Sequence, residues 1–297
     1  MKTVLLDIEN ITPFEEPITI CLGNFDGVHI GHQKVITKAV LDSSGAVAVL
    51  TFDAPLGTVI DGRKAKQVIT SVSDRFRLIH RLGADYLLVL HLNKELLSLS
   101  AVDFIDKVLN RLNIGKVFVG EDFRFGKGRT GNAQLLAKHF STNIIPLLDV
   151  EHTKVSTSQI IELLKDGNII KANQLLGRHY QMNGVISEGL HNGQTIGFPT
   201  ANLKLSAPYV IPKFGVYKTV CYIDGFPHLS LTNIGVHPTI QQLDLPSIEV
   251  HIPNYEGIDY GKTMYLEFIS FLREEKHFAS LDELRVQIAR DIAMLKP

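Results

Sequence analysis

Residues 18–36 read ITICLGNFDGVHIGHQKVI, which joins a strand-like run, a glycine-rich turn and the start of a helical pattern. Three glycines, Gly23, Gly27 and Gly31, let the backbone turn tightly and leave room for a bulky ligand. A helix that starts near His32 presents free backbone N–H groups and the positive end of its dipole, which suits phosphate. The segment therefore predicts a strand–turn–helix unit with a phosphate-binding turn.

The rest of residues 1–175 repeats this alternation of strand-like and helix-like segments. The strand-like runs are rich in Val, Ile and Leu and cover 18–22, 46–52, 85–90, 116–120 and 143–150. Helical patterns cover 32–44, 73–83, 100–112 and 133–140. Apolar strands joined by crossover helices predict a Rossmann-like parallel sheet that is covered on both faces. Ligands bind such a sheet beyond the carboxyl ends of its strands.

The chain changes character over residues 183–272. Strand-like pieces alternate more strictly there and are interrupted by Gly, Pro and Asn, which predicts an antiparallel β-barrel or sandwich. A final helix is predicted after Ser280, which forms a capping-box pattern with Glu283. Its apolar face follows steps of three and four residues, at Leu281, Leu284, Ile288, Ile292 and Leu295. We expect two domains, 1–178 and 179–297.

The composition indicates an ordinary globular protein of about two domains, with 297 residues, 45% hydrophobic and 21% charged. A net charge of −1 argues against a broad surface for nucleic acid or anionic membranes. Cys21 and Cys221 lie in apolar runs, so we expect buried free thiols and a reducing cytoplasm. Asp7 and Glu9 interrupt any signal-peptide pattern, and no apolar run approaches the roughly 20 residues that span a bilayer.

Two histidines, His29 and His32, stand at the predicted turn. Both can donate hydrogen bonds to a phosphoryl oxygen, where charge builds when a nucleoside triphosphate is attacked at its α-phosphorus. An H-x-x-H pair can also bind a metal, but no third ligand follows at a usual spacing. The pair is therefore a candidate catalytic pair for nucleotidyl transfer.

These residues carry a family resemblance. Gly23, Phe25, Asp26, Gly27, His29, Gly31 and His32 fit the pattern G-x-F-D-G-x-H-x-G-H. The pattern resembles the signature of the flavin-specific nucleotidyltransferase module of bacterial bifunctional riboflavin kinase/FAD synthetases. The block VGEDFRFGKGRTG, residues 119–131, resembles the G-x-D-F-x-F-G block of the same module. The resemblance implies that these residues bind ATP or flavin, and that Asp122 helps to hold one of the two.

The same block also contains a G-x-G-x-x-G pattern at Gly126, Gly128 and Gly131, with Asp149 further on. Such a pattern can mark a dinucleotide-binding turn, which would make the protein a dehydrogenase. The preceding strand is predicted to end at Gly120, however, and the segment does not follow the first strand of the sheet. We therefore do not favour this interpretation.

One segment departs from the family pattern. The family carries a Ser-Ser-Thr-Arg-Ile-Arg-like segment near the triphosphate, where this chain reads VSTSQIIELL, residues 155–164. Ser156 and Thr157 keep hydroxyl groups there, but Gln159 and Ile161 replace the expected arginines. Each lost charged hydrogen bond removes on the order of 1.5–3 kcal/mol of phosphate binding. The frequent His-Pro after the second strand is also missing.

The second half carries a stronger motif. GLHNGQTIGFPTANLKL, residues 189–205, contains G-F-P-T-A-N, which resembles the riboflavin kinase motif without a change. Gly189, Gly193 and Gly197 would let backbone amides approach ATP phosphates, and Pro199 would stiffen the approach. Thr200 and Asn202 supply oxygens at i and i+2, which point to one face of an extended chain, as a Mg²⁺ site shared with phosphates requires.

Three further blocks resemble the kinase family in chain order: 212–221, 231–240 and 247–261. The last resembles the block of the catalytic glutamate, so Glu249 is the candidate base for phosphoryl transfer. Its neighbours in the predicted strand, Ile248 and Val250, should face the opposite side. Residues 271–278 resemble the segment that closes over flavin, with Arg273 and Phe278 as candidate contacts.

The resemblance implies a bifunctional enzyme with Mg²⁺ and ATP, whose partners are riboflavin, FMN and FAD rather than nucleic acid or membranes. Riboflavin would be phosphorylated to FMN, and FMN would be adenylylated to FAD. Two alternatives stay open at this point. One is a riboflavin kinase with a weak or inactive adenylyltransferase domain, because of Gln159 and Ile161. The other is a non-catalytic flavin-binding regulator, which would have no need of a base at Glu249.

Overall fold

The computed structural model describes residues 1–54, 67–151, 153–188, 197–236, 246–255 and 259–295, with no side chain described for 153. The chain forms two compact units, Met1–Thr157 and a second from Ser158 onward. Residues 158–178 thus belong to the second unit, while the functional boundary at 178/179 stays a prediction. No helix in the described ranges is long and apolar enough to cross a membrane.

The first unit contains ten short strands and five α-helices among its described residues. The strands are β1 Lys2–Leu6, β2 Ile18–Leu22, β3 Val47–Phe52, β4 Tyr86–Leu90, β5 Ile114–Gly120, β6 Arg124–Phe125, β7 Gly131–Asn132, β8 Thr142–Ile145, β9 Asp149–Val150 and β10 Thr153–Lys154. The helices are α1 Ile30–Asp42, α2 Val72–Arg81, α3 Lys94–Ser98, α4 Ala101–Lys107 and α5 Ala133–Leu136, with 3₁₀ turns at Leu109–Arg111 and Lys127–Arg129.

Six of these strands form the predicted parallel sheet, in the order β1-β4-β3-β2-β5-β8. The strand order reverses at β2, which has β3 on one side and β5 on the other. The crevice beyond the carboxyl end of such a strand is where open α/β sheets bind ligands. The turn that follows β2 is the glycine-rich segment, so the sequence motif lies at this switch point.

Apolar clusters cover both faces of the sheet. Ile18, Ile20 and Leu22 of β2 belong to one cluster, which includes residues of α4. Cys21 belongs to the other cluster, with residues of α1 and α2. This alternation along one strand confirms the prediction of a doubly covered parallel sheet.

The second unit is a closed antiparallel barrel with helices on its outside. The strands are β11 Tyr180–Ser187, β12 Ala201–Leu205, β13 Gly215–Ile223, β14 Phe226–Val236, β15 Pro246–His251 and β16 Thr263–Arg273. They close in the order β11-β12-β15-β14-β13-β16, so the barrel alternative is the observed one. The helices are α6 Thr157–Lys165, which begins at the last residue of the first unit, α7 Ile169–Leu176 and α8 Leu281–Ala293.

The terminal helix confirms its predicted start but only part of its predicted buried face. Ser280 accepts a hydrogen bond from the Glu283 backbone N–H at 3.2 Å, as an N-cap residue does. Leu295 packs with Val216 and Leu231 of the barrel. Leu281, which belongs to the predicted apolar face, is 63% exposed. Both cysteines are buried and free, which confirms the expectation for the thiols.

Candidate active sites

The turn after β2 is tightly packed, and its glycines are required by that packing. Phe25 and Gly27 both have positive φ angles, 51° and 83°. A Cβ atom on Gly23 would lie 3.0 Å from the buried ring of Phe25, and one on Gly31 would lie 3.1 Å from the ring of His29. The motif glycines therefore allow aromatic rings to lie directly on the backbone of the turn.

Asp26 holds this turn in place from the inside. Its carboxylate accepts hydrogen bonds from the backbone N–H groups of Ile69 (3.0 Å) and Thr70 (2.9 Å) and from the Thr70 hydroxyl (3.1 Å). Thr70 in turn accepts a hydrogen bond from the backbone N–H of Gly27 at 2.8 Å. Burial raises the pKa of Asp26, whereas these hydrogen bonds and the charge of Arg75 oppose that rise. Asp26 is only 6% exposed, so its carboxylate binds groups of the protein rather than solvent.

The structure brings the two histidines together at the start of α1. Their rings stack with centroids 3.6 Å apart, and the edge of Phe25 supports His32. His29 is the N-cap residue, and its Nδ1 accepts a hydrogen bond from the backbone N–H of His32 at 3.3 Å. A neutral His29 ring in this arrangement carries its proton on Nε2, which points a donor away from the helix backbone. The pair and the helix N-terminus together form a site suited to phosphate.

Thr157, in the segment that differs from the family pattern, contacts this turn. It donates a hydrogen bond from Oγ1 to the carbonyl oxygen of Asp26 at 3.2 Å. Ser156, immediately before it, is half-buried. The sequence alone could not show that Thr157 contacts the backbone of the turn, and the roles of Ser156 and Thr157 in binding stay predictions.

The second predicted block lies beyond the carboxyl end of β5. Asp122 forms an ion pair with Lys154 at 3.1 Å, in which both side chains are about half exposed. Phe123 and Phe125 stack with centroids 5.6 Å apart. A Cβ on Gly126 would lie 2.7 Å from the backbone of Ala101. The glycines of this block thus allow close packing and a short 3₁₀ turn. This agrees with our not favouring a dinucleotide-binding turn at Gly126, Gly128 and Gly131.

The kinase candidates lie in one row on the outside of the barrel. Glu249 of β15 is directly opposite Asn202 of β12 and Asn233 of β14. Ile248 and Val250, its neighbours along the strand, are buried on the inner side. Opposite residues in antiparallel strands point to the same face, with Cβ atoms about 4.5–5.5 Å apart. Asn233 was not singled out from the sequence, because register across strands is not visible there.

The carboxylate of Glu249 is held by two hydroxyl groups. Thr200 donates to Oε2 at 3.3 Å, and Ser247 donates to Oε1 at 3.2 Å. The turn before Thr200 is fixed to β15, since the carbonyl oxygen of Pro199 lies 2.9 Å from Nδ1 of His251. Gly197 has a φ of 82°, which favours glycine. Gly189 and Gly193 lie outside the described residues.

These side chains fit a magnesium ion shared with phosphates. Thr200 and Asn202 offer neutral oxygen atoms of the kind that bind Mg²⁺ beside phosphates. The described residues contain no group of three or more His, Cys, Asp or Glu that could hold a metal ion by themselves.

Arg273 is held by the terminal helix. Its Nε and Nη2 donate to both oxygens of Asp291, at 2.7 to 3.1 Å, and Asp291 is 1% exposed. Phe278 is half-buried. The Glu275 carboxylate lies against Gly235, where any Cβ would overlap it. Gly235 pairs with Ser247, so Glu275 covers the same outer face of the barrel as Glu249.

Comparison with known proteins decides the family. Residues 11–159 match the family model described as FAD synthetase, and residues 176–296 match the one described as riboflavin kinase. A curated "Bifunctional riboflavin kinase/FMN adenylyltransferase" of Bacillus subtilis is 34% identical over 92% of this chain and 89% of that protein. The chain belongs to this bifunctional family. The relative of the same description from Escherichia coli K12 is 32% identical to this family member, over 93% and 91% of the two chains.

A solved structure shares the whole fold of this riboflavin kinase/FMN adenylyltransferase family member. It is the crystal structure of a protein named "Macrolide-efflux Protein" from Streptococcus pneumoniae, and it superposes with a TM-score of 0.91 at 26% identity. The match covers 99% of this chain and 98% of that one. We use this structure as evidence for the fold only. The curated relatives and both family models agree with one another on flavin chemistry, and they indicate the activity.

Proposed function

We propose that the second unit phosphorylates riboflavin to FMN and that the first unit adenylylates FMN to FAD, each with its own molecule of ATP. Both family models and the names of the curated relatives support the two activities. The observation that carries the kinase assignment is the position of Glu249, held by Thr200 and directly opposite Asn202.

In the kinase reaction, Glu249 accepts the proton of the riboflavin 5′-hydroxyl as that oxygen attacks the γ-phosphorus of ATP. The bond from the γ-phosphorus to the β,γ-bridging oxygen breaks, and ADP leaves. Thr200 and Ser247 orient the carboxylate through their hydrogen bonds. Thr200 and Asn202 would hold Mg²⁺, which draws charge off the transferred phosphoryl group when bound. Gly189, Gly193, Gly197 and Pro199 would shape the loop around the ATP phosphates.

In the adenylyl transfer, an oxygen of the FMN phosphate attacks the α-phosphorus of ATP, and pyrophosphate leaves. The chain then needs no nucleophile of its own, because positioning and charge stabilisation are sufficient. His29, His32 and the N-terminus of α1 would stabilise the charge that develops on the phosphoryl oxygens. Gly23, Phe25, Asp26 and Gly27 would shape the turn, with Asp26 acting through Ile69 and Thr70.

The remaining site residues take supporting roles in this proposal. Ser156 and Thr157 border the triphosphate, and Asp122 borders the flavin or the nucleotide. Arg273, anchored on Asp291 and on the carbonyl oxygen of Glu274, would contact the flavin. The two free, buried cysteines support a reducing cytoplasm as the place where the enzyme works.

The test is a time course with purified protein, riboflavin, ATP and Mg²⁺, analysed by chromatography. We expect FMN to appear first and FAD to follow. A parallel reaction that starts from FMN should give FAD without a lag. Absence of FMN from the first reaction would overturn the kinase assignment. FMN that never proceeds to FAD, in both reactions, would overturn only the adenylyltransferase assignment.

A further inference from the structure

Arg75 of α2 is a buried cation directly behind the phosphate-binding turn. Its side chain is 4% exposed. Nη1 donates to the carbonyl oxygen of Asn24 at 3.2 Å and to Oγ1 of Thr51 through a short hydrogen bond. Nε is buried without a hydrogen-bond partner among the described residues. Burying an arginine with part of its donor set unused costs free energy, so the position calls for an explanation.

The charge of Arg75 is only partly neutralised. The carboxylates that act on it, Asp26, Asp74 and Asp53, do so at longer range than an ion pair. Asp74 forms its ion pair with Arg77 at 2.6 Å, and Asp26 is taken up by backbone N–H groups. Within the described part of the chain, no carboxylate lies at ion-pair distance from the Arg75 guanidinium. A buried cation of this kind keeps a large part of its field, because little water screens it.

Arg75 lies behind the crevice where the nucleotide is proposed to bind. Asn24 follows β2, and Thr51 is the penultimate residue of β3, so Arg75 ties together two adjacent strand ends. The same turn continues to His29 at the start of α1.

We propose that Arg75 is a positioning residue for adenylyl transfer, which holds the ends of β2 and β3 and supplies positive charge to the ATP triphosphate. This inference rests on the proposed adenylyltransferase function of the first unit. Arg75 is too buried to touch the nucleotide, so it acts through Asn24 and through its field. It should therefore affect ATP binding more than the rate of the chemical step.

The test compares Arg75→Met, which keeps length and removes charge, with Arg75→Lys, which keeps charge and removes the planar fork. Arg81→Met, at an exposed position in the last turn of the same helix, is the matched control. FAD formation from FMN is measured at varied ATP in the full-length protein. We expect KM for ATP to rise about tenfold in Arg75→Met, which loses the fixed charge and the hydrogen bonds to Asn24 and Thr51. The rise should be smaller in Arg75→Lys and below about threefold in Arg81→Met, while kcat changes less than KM in all three.

The charge of the ligand gives a readout that a merely structural role would not change. The Kd of ATP should rise in Arg75→Met by a larger factor than the Kd of AMP, because the triphosphate carries more negative charge. Riboflavin phosphorylation in the same samples should be unchanged. A wild-type KM for ATP in a folded Arg75→Met variant would overturn the inference while FAD synthesis by the wild type still stood. Equal rises in KM for Arg75→Met and Arg75→Lys would overturn the supply of charge by Arg75. Loss of cooperative unfolding in both variants would overturn the whole inference by assigning Arg75 to stability alone. Absence of FAD with the wild type would remove the proposed function and this inference together.

Discussion

Asn202 and Glu249 face each other across strands β12 and β15, and Thr200 donates a hydrogen bond to the same glutamate at 3.3 Å. The motif G-F-P-T-A-N and the glutamate block lie far apart in the chain, yet one strand pair brings them to one face. Because both strands belong to a closed barrel, their register is fixed by the pattern of buried residues on the inner side. The barrel therefore serves the kinase site by holding three oxygen-bearing side chains in a fixed relation.

Replacing Thr200 by Val should separate the role of its hydroxyl from that of its shape. The variant loses one proposed Mg²⁺ ligand and the hydrogen bond to Glu249, so we expect kcat/KM for FMN formation to fall about ten- to hundredfold. FAD formation from added FMN should not change. Thr263→Val, at the exposed start of β16, is the control. An FMN rate in Thr200→Val equal to that of the control would show that the hydroxyl has no part in the reaction.

Two barrel glycines should differ sharply in their tolerance of alanine. A Cβ on Gly184 would overlap the backbone carbonyl of Lys204, which cannot move without breaking the pairing of β11 and β12. A Cβ on Gly235 would overlap the flexible end of the Glu275 side chain, which can swing away. We expect Gly184→Ala to lower the free energy of unfolding by about 1–3 kcal/mol or more, and Gly235→Ala by less than about 1 kcal/mol. Denaturant unfolding of both variants measures this, and the reverse order would contradict the packing described.

The ion pair between Arg273 and Asp291 should contribute to the stability of the second unit. Both side chains are largely buried, and the guanidinium donates to both carboxylate oxygens. Asp291→Asn leaves a buried arginine without its counter-charge, which typically costs about 3–5 kcal/mol. The exposed Asp282→Asn on the same helix is the control. If Asp291→Asn unfolded at the same temperature as the control, the ion pair would not stabilise the second unit.

His91 should titrate above its usual range. Its Nδ1 lies 2.6 Å from Oδ2 of Asp53, and the hydrogen bond and charge of that carboxylate raise the pKa of His91. The pKa of His91 is therefore higher in the folded than in the unfolded state. The pair stabilises the fold fully at pH values below the unfolded-state pKa, and this stabilisation is lost as pH rises through the folded-state pKa. NMR titration of His91 should show the upward shift, and Asp53→Asn should remove most of it. An unchanged titration curve in Asp53→Asn would show that the contact is absent in solution.

Local patterns were enough to predict the parallel sheet and an antiparallel β-domain, but they left barrel and sandwich open and did not show the contacts made across the chain. The segment 18–36 predicts β2, its turn and α1 because each is specified by its own residues. Strand β1 was not predicted: it lies at the sheet edge, and Leu5 is 79% exposed, so it has no buried apolar run. Leu281 lies on the predicted apolar face but is exposed, because only the C-terminal end of that face, Ile292 and Leu295, packs against the barrel cluster.

The partners of the turn were invisible for a related reason. Asp26 reads as a ligand-binding acid in the motif, but its partners Ile69 and Thr70 are more than one crossover away in the chain. Arg75 carries a weak signal in the sequence, since it lies four residues before the buried Ile79 on one helix face. That spacing indicates burial, while the ends of β2 and β3 that it joins become visible only in the fold.

The central claim is that one chain carries two separate ATP-dependent sites. Glu249→Gln tests it most directly, because glutamine keeps the shape and the hydrogen-bond acceptor of Glu249 but cannot act as a base. The purified variant is supplied with riboflavin in one reaction and with FMN in another, with ATP and Mg²⁺ in both. We predict that FMN formation falls about 10²–10⁴-fold, while FAD formation from FMN stays at the wild-type rate. FMN formation within about threefold of the wild type, or loss of both activities in a folded variant, would contradict the account.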